Sequence, residues 1–198
     1  MPPKTMFTRE MFIEAAFKVV RKEGIGKLSA RTLARELNCS TMPIYSYLRS
    51  MKNLKDDLRK KAVDLLLEYQ NTSRSGMPFY DMGLGYVLFA RNEKNLFRFL
   101  FIETGIVSKK RKQGASLQQF ALNSLMVGMK SDSKLEGVND RQAERIMIKM
   151  WIFVHGIAFL LNNNEFPDDS EEYINRLIYE TGKFVIEGEM GNTAKGGN

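Results

Sequence analysis

At 198 residues and 22.8 kDa the chain has the size of one large domain or two small ones, long enough to bury a hydrophobic core without covalent staples. With 43% hydrophobic and 27% charged residues it is neither collagen-like nor wholly disordered, and no uncharged apolar run approaches the roughly 18 residues that a membrane span needs. One cysteine, Cys39, excludes an internal disulfide, and one histidine, His155, leaves most metal-dependent and histidine-dependent chemistry without its residues.

Charge is unevenly placed. Residues 1–60 hold 13 Lys and Arg against 6 Asp and Glu, whereas the remainder holds 17 of each. A net positive charge of +7 confined to the first third points to an anionic partner, nucleic acid or a membrane surface. The residues before Thr8 contain no apolar run of the kind that opens a secretory leader, so a cytoplasmic protein is expected.

Apolar residues recur at spacings of three and four throughout, the helical period, so the fold class expected is all-α. The first helix is predicted over Arg9–Glu23, capped by Thr8, stapled by Phe7 and Phe12 and stopped by Gly24; its core stripe is Met11, Phe12, Ala15, Ala16, Val19 and Val20. The second starts after Ser29, buries Ala30, Leu33, Ala34 and Leu37, and ends at Asn38, a residue that tolerates the left-handed conformation. The third covers Thr41 to Tyr47 after Ser40, with Pro43 in its first turn. Ser50 is placed to cap a longer fourth helix whose apolar face is Leu54, Leu58, Ala62, Leu65, Leu66 and Tyr69. A break follows over Asn71–Met77, then helices near 78–91, 94–103, 115–129, 140–163 and 170–187, and a disordered tail over 188–198. The organisation expected is a basic domain over 1–55 and a larger helical domain over 56–187.

The most informative stretch is residues 29–54. Two short helices joined by a tight turn at Asn38-Cys39-Ser40, inside the basic segment, make a helix-turn-helix, whose second helix enters the DNA major groove. Ser29, Thr32, Ser40, Thr41, Tyr45, Ser46 and Tyr47 supply hydroxyls for phosphates and base edges, Met42 an apolar contact for a thymine methyl, and Arg31 and Lys52 positive charge, as do Arg35, Arg49 and Lys55. Ser29 and Ser40 also fit a simpler role as helix caps.

Residues 8–60 resemble the DNA-binding domain of TetR-type bacterial transcriptional regulators. The resemblance rests on Ile13-Glu14-Ala15-Ala16, the Glu23-Gly24 stop, Leu33-Ala34-Arg35-Glu36-Leu37, and Ser40-Thr41-Met42-Pro43-Ile44-Tyr45-Ser46-Tyr47-Leu48, continued by Ser50-Met51-Lys52-Asn53-Leu54. Met51 stands where that family often has lysine, which passes the phosphate contact to Lys52 or Lys55. Further on, Trp151-Ile152-Phe153-Val154-His155-Gly156 is similar to the Trp…His-Gly element of one TetR C-terminal subfamily. Trp151 and His155 share a helix face and are either effector contacts or a core tryptophan beside a hydrogen-bonded histidine.

The resemblance implies a dimer built from the last two helices, with Phe153, Gly156, Ile157, Phe159, Leu160, Ile174, Leu177 and Ile178 as interface residues. It also implies an effector pocket among the Phe, Tyr and Met residues of 77–129, for which Tyr86, Phe89, Phe101 and Phe120 join Trp151 and His155 as candidates. The function expected is a ligand-responsive repressor that binds a near-palindromic double-stranded operator as a homodimer and answers to a small apolar or cationic effector. No cofactor, metal, membrane partner or enzymatic activity is expected: no Cys/His cluster has metal spacing and no Gly-rich loop matches a phosphate cradle. A rival reading is a helical lipid carrier or membrane-surface protein, whose basic head would meet anionic lipid.

Overall fold

A computed structural model describes residues 7–48, 51–103, 126, 128–129 and 131–191. Every regular element among them is helical, as the periodicity predicts. The elements are α1 (Arg9–Glu23), α2 (Ala30–Glu36), α3 (Thr41–Leu48), α4 (Met51–Asn71), α5 (Pro78–Asn92), α6 (Lys94–Phe97), α7 (Asp140–Asn162) and α8 (Glu171–Gly191). The helix expected near 115–129 lies almost wholly outside the described residues.

The chain divides into two units. The first holds the described residues up to Leu65 together with 93–103; the second holds 66–92 and the rest. The division thus falls inside α4, ten residues later than position 55 (at Leu65), and the α6 segment belongs with the basic end of the chain.

In the first unit α1 has the predicted bounds. Thr8 accepts a hydrogen bond from the Met11 amide at 3.3 Å, the Phe7 and Phe12 rings meet at 5.7 Å, and Gly24 ends the helix at φ 87°. Phe12, Ala15, Ala16, Val19 and Val20 are buried, whereas Met11, expected in that stripe, is exposed. Leu33, Ala34 and Ile44 pack into the same core, with Leu54, Leu58 and Ala62 from α4 and Leu96, Phe97 and Phe99 from the α6 segment. A bidentate pair ties the segment to α1: Arg21 donates through Nε to Glu93 Oε2 at 2.7 Å and through a terminal nitrogen to Oε1. Asn95 donates to the Arg21 carbonyl at 3.0 Å. After Phe97 the chain widens into a π-turn over Arg98–Ile102, closed by the Glu103 amide on the Arg98 carbonyl at 2.7 Å, so the helix expected over 94–103 is not regular.

In the second unit the break after α4 is built rather than slack. The Asp81 carboxylate reaches back from α5 to accept the Arg74 amide at 2.9 Å, the Ser75 amide at 3.0 Å and the Ser75 hydroxyl at 2.7 Å. The helix α5 is the centre of this unit, with Phe79, Met82, Leu84, Tyr86, Val87, Leu88, Phe89 and Ala90 all buried. Its Gly85 is where the α4 backbone crosses: a Cβ built there would overlap the Tyr69 carbonyl. Gly83, two residues earlier, would place its Cβ at ordinary contact distance, 3.5 Å from Val154.

Asn139 and Gln142 form a reciprocal capping box that starts α7. Gln142 also donates to the Glu189 carbonyl at 2.8 Å, and the Glu189 carboxylate is held by Arg145 at 2.6 Å and Lys149 at 2.5 Å. Those bonds to α7 account for the course of α8, which runs to Gly191, through residues 188–191 that composition alone assigns to a disordered tail.

The two α5 glycines therefore differ in kind. Gly85→Ala is expected to destabilise the protein by about 1–3 kcal/mol through backbone overlap, whereas Gly83→Ala gains up to about 1 kcal/mol from helix propensity. Urea midpoints of the two variants check this; equal midpoints would contradict the close crossing at Gly85.

Candidate functional site

The corner between α2 and α3 starts from its caps. Ser29 accepts the Thr32 amide at 3.2 Å while the Thr32 hydroxyl accepts the Ser29 amide at 2.9 Å and donates to the Lys27 carbonyl at 2.8 Å. Both hydroxyls assigned to phosphate contact are thus engaged in starting α2. At the other end the Leu37 amide bonds the Leu33 carbonyl at 2.9 Å, the Cys39 amide bonds the Ala34 carbonyl at 2.9 Å, and between them Asn38 takes the left-handed conformation at φ 50°. This is the wrapped helix end that asparagine tolerates better than other non-glycine residues. It spends the last carbonyls of α2 and turns the chain within four residues, Leu37 to Ser40, into α3.

The consequence for α3 is a strict division of faces. Ile44 is 0% exposed and anchors the helix in the core, while Met42 is 79% and Tyr45 64% exposed. Thr41 is half-buried and Ser40 exposed just ahead of it. The side chains of Ser46, Tyr47 and Lys52 lie outside the described residues. Among the basic residues, Arg35 is taken by Glu23 at 2.6 Å. Arg31, Lys27 and Lys55 are exposed and make no ion pair among the described residues. The corner therefore presents a methionine and a tyrosine, two large side chains with no packing role, on the helix that follows an exposed arginine.

The residues assigned to an effector fall in both units, and one lies outside the described residues. Phe101 belongs to the first unit, against Phe97 at 5.0 Å, and Phe120 lies outside the described residues. Phe89 is fully buried and packs edge-on against Tyr69 at 5.7 Å. The structure does bring Tyr86, His155 and Trp151 together: the Tyr86 hydroxyl lies 2.8 Å from His155 Nδ1, and the His155 and Trp151 rings stack at 5.5 Å and 21°. Burial pushes the Tyr86 phenol far above its ordinary range, so it keeps its proton, and burial lowers the His155 imidazole toward its neutral form; the two share one hydrogen bond. His155 is half-buried and its Nδ1 has a hydrogen-bond partner in Tyr86.

The residues assigned to a dimer separate in the same way. Ile157, Ile174 and Ile178 are buried within their own unit and offer nothing to a partner. Phe153 and Leu177 are half-buried, and Phe159 and Leu160 are exposed. Gly156 is exposed, and beyond its own helix backbone nothing among the described residues lies within 4 Å of the position its Cβ would take. Sequence reasoning missed Ile148, Ile152 at 59% and Phe184 at 78% exposure. On α7, Ile148, Ile152, Gly156 and Leu160 fall at i, i+4 spacing, a pattern visible in the sequence; the inward apolar residues Met150, Val154 and Ile157 masked it.

Among the described residues no group of three His, Cys, Asp or Glu side chains could hold a metal ion, and no helix is long and apolar enough to cross a membrane. No protein-family profile matches the chain, and no curated protein shows significant similarity to it.

Because His155 is held neutral, it makes stability depend on pH. Its lowered value in the folded state means the unfolded chain takes up the proton first; stability is full above about pH 6.5, the unfolded value, and falls as the pH drops through the window below. Urea unfolding at pH 7.5 and 5.5 should show a larger loss for the wild type than for His155→Gln. Equal losses would contradict a neutral, Tyr86-bonded imidazole.

Proposed function

We propose that the protein is a ligand-responsive, DNA-binding transcriptional repressor that acts as a homodimer on a near-palindromic operator. The observation that carries the reading is the corner at Asn38: it holds α3 by Ile44 and leaves Met42 and Tyr45 facing out, inside the segment that carries the whole +7 excess. An outward methionine and tyrosine contribute little to a core; on a short helix after a tight turn they are suited to thymine methyls, base edges and phosphates in a major groove. Arg31 and Lys55, exposed and without ion pairs among the described residues, supply phosphate contacts, with Lys52 beside them in the sequence. Residues 8–60 resemble TetR-type regulators, which supports the same assignment.

Apolar side chains left exposed on the second unit support dimerisation. Ile152, Phe159, Leu160 and Phe184 are exposed, and among the described residues nothing beyond their own helix backbone lies within 4 Å of the Cβ positions of Gly156 and Gly188, so a second copy can bring its helix backbones close. A symmetric pair of reading helices then demands two half-sites about one helical turn apart. The effector acts by linkage: it prefers a conformation in which the two heads no longer match that spacing, so effector and operator weaken each other reciprocally.

Selection of bound duplexes from a random pool tests the reading. The wild type should enrich a near-palindrome. Met42→Ala should relax the preference at one base pair per half-site, by about 1–3 kcal/mol, with its thermal midpoint nearly unchanged. Phe184→Glu should sediment as a monomer and enrich at most a single half-site. Recovery of no enriched sequence, with binding instead to anionic vesicles, would favour the lipid-surface rival.

A further inference from the structure

The second unit contains a cleft that none of the effector candidates line. It has a volume of about 280 Å³ and lies between the start of α5, the 131–138 segment, α7 and α8. Its walls are apolar, chiefly Met77, Phe79, Leu135, Met150, Ile186 and Met190. Two glycines open its floor: Gly83 on α5 and Gly182 on α8, the latter with room for a Cβ 3.5 Å from the Met150 methyl. The volume falls just below the roughly 300–1,000 Å³ of ordinary ligand sites, which suits one slender chain rather than a fused-ring compound.

The charges at the rim are unequal in availability. Asp132, the buried carboxylate of the wall, has both oxygens occupied, Oδ2 by the Phe79 amide at 3.2 Å and Oδ1 by the Lys134 amide at 3.0 Å. Those two hydrogen bonds fix the turn that carries Lys134. The Lys134 ammonium in turn donates to the Met77 thioether at 3.0 Å, a weak acceptor, and no described carboxylate pairs with it. Lys183, on the α8 wall, has only the exposed Glu187 at 3.9 Å. An exposed ammonium at the mouth of an apolar cleft, with a thioether as its acceptor, is open to an anion.

We propose that this cleft binds a single-chain anionic amphiphile, a carboxylate with an unbranched apolar tail, the tail lying over Gly83 and Gly182 and the carboxylate meeting Lys134. The assignment deepens the effector reading above and rests on it only for any consequence at DNA; binding itself is measured with no DNA present.

Calorimetric titration of the full chain with decanoate, below its micellar concentration, tests the site. Decanoate should bind saturably at one site per chain, and decanol and decyltrimethylammonium at least tenfold more weakly. Lys134→Gln should weaken decanoate about tenfold and leave decanol unchanged. Gly182→Leu, which fills the floor, should abolish binding, while Gly182→Ala, at ordinary contact distance, should keep the fold and reduce binding less. The proposal is overturned if decanoate does not saturate, if the ammonium amphiphile binds as tightly, or if Gly182→Leu, shown folded by its thermal transition, binds like the wild type. Saturable binding that leaves duplex affinity untouched would keep the site and sink the ligand-responsive reading instead.

Discussion

The left-handed residue at Asn38 is the constraint on which the basic unit depends. With the Cys39 amide returned to the Ala34 carbonyl, α2 ends in a closed turn and α3 must leave in one direction. That direction puts Ile44 into the core formed by α1, α4 and the α6 segment, and the 100° step of the helix then fixes Met42 and Tyr45 outside. A helix of eight residues has little stability of its own, so its orientation is borrowed from neighbours. The Arg21–Glu93 pair and the Asn95 bond to the Arg21 carbonyl hold the wall against which those neighbours pack.

The second unit solves a different problem, the burial of a long run of large side chains. Gly85 lets α4 and α5 cross at backbone distance, which brings Tyr69 against Phe89. Polar groups drawn into this core are each given a partner: Tyr86 with His155, Asp81 with the 74–75 turn, Asp132 with the Phe79 amide. What is left over is informative for the same reason. The exposed Ile152 and Phe184 side chains, and the exposed Lys134 ammonium whose acceptor is a thioether, are not consumed by this core.

Much of this was legible in the sequence, and the reasons are local. Thr8, Gly24, Ser29 and Asn38 act through bonds within a few residues of themselves, so caps and corners could be read directly. The helical class followed from spacing alone. The residues that escaped were those whose roles depend on partners far away in the chain. Met11 fits the apolar stripe of α1 yet faces out, and Ile157, Ile174 and Ile178 fit a dimer seam yet are consumed by their own core. The end of α8 was misread because Gly188 and Gly191 are poor helix formers, whereas Arg145 and Lys149 pin Glu189 from another helix. Of the cleft, the sequence marked only the end near the start of α5, through Met77 and Phe79; Gly182 and Lys134 are 48 residues apart and unremarkable in isolation.

The central claim is that α3 reads DNA with its outward face. The most direct measurement is the methyl spectrum of the protein labelled at its methionines, titrated with a duplex it binds. The Met42 methyl should shift and broaden as the duplex saturates, while that of Met150, buried in the other unit, should hold its position. A duplex bound with the Met42 resonance unmoved would contradict the account, because the most exposed side chain described on α3 would then be away from the contact.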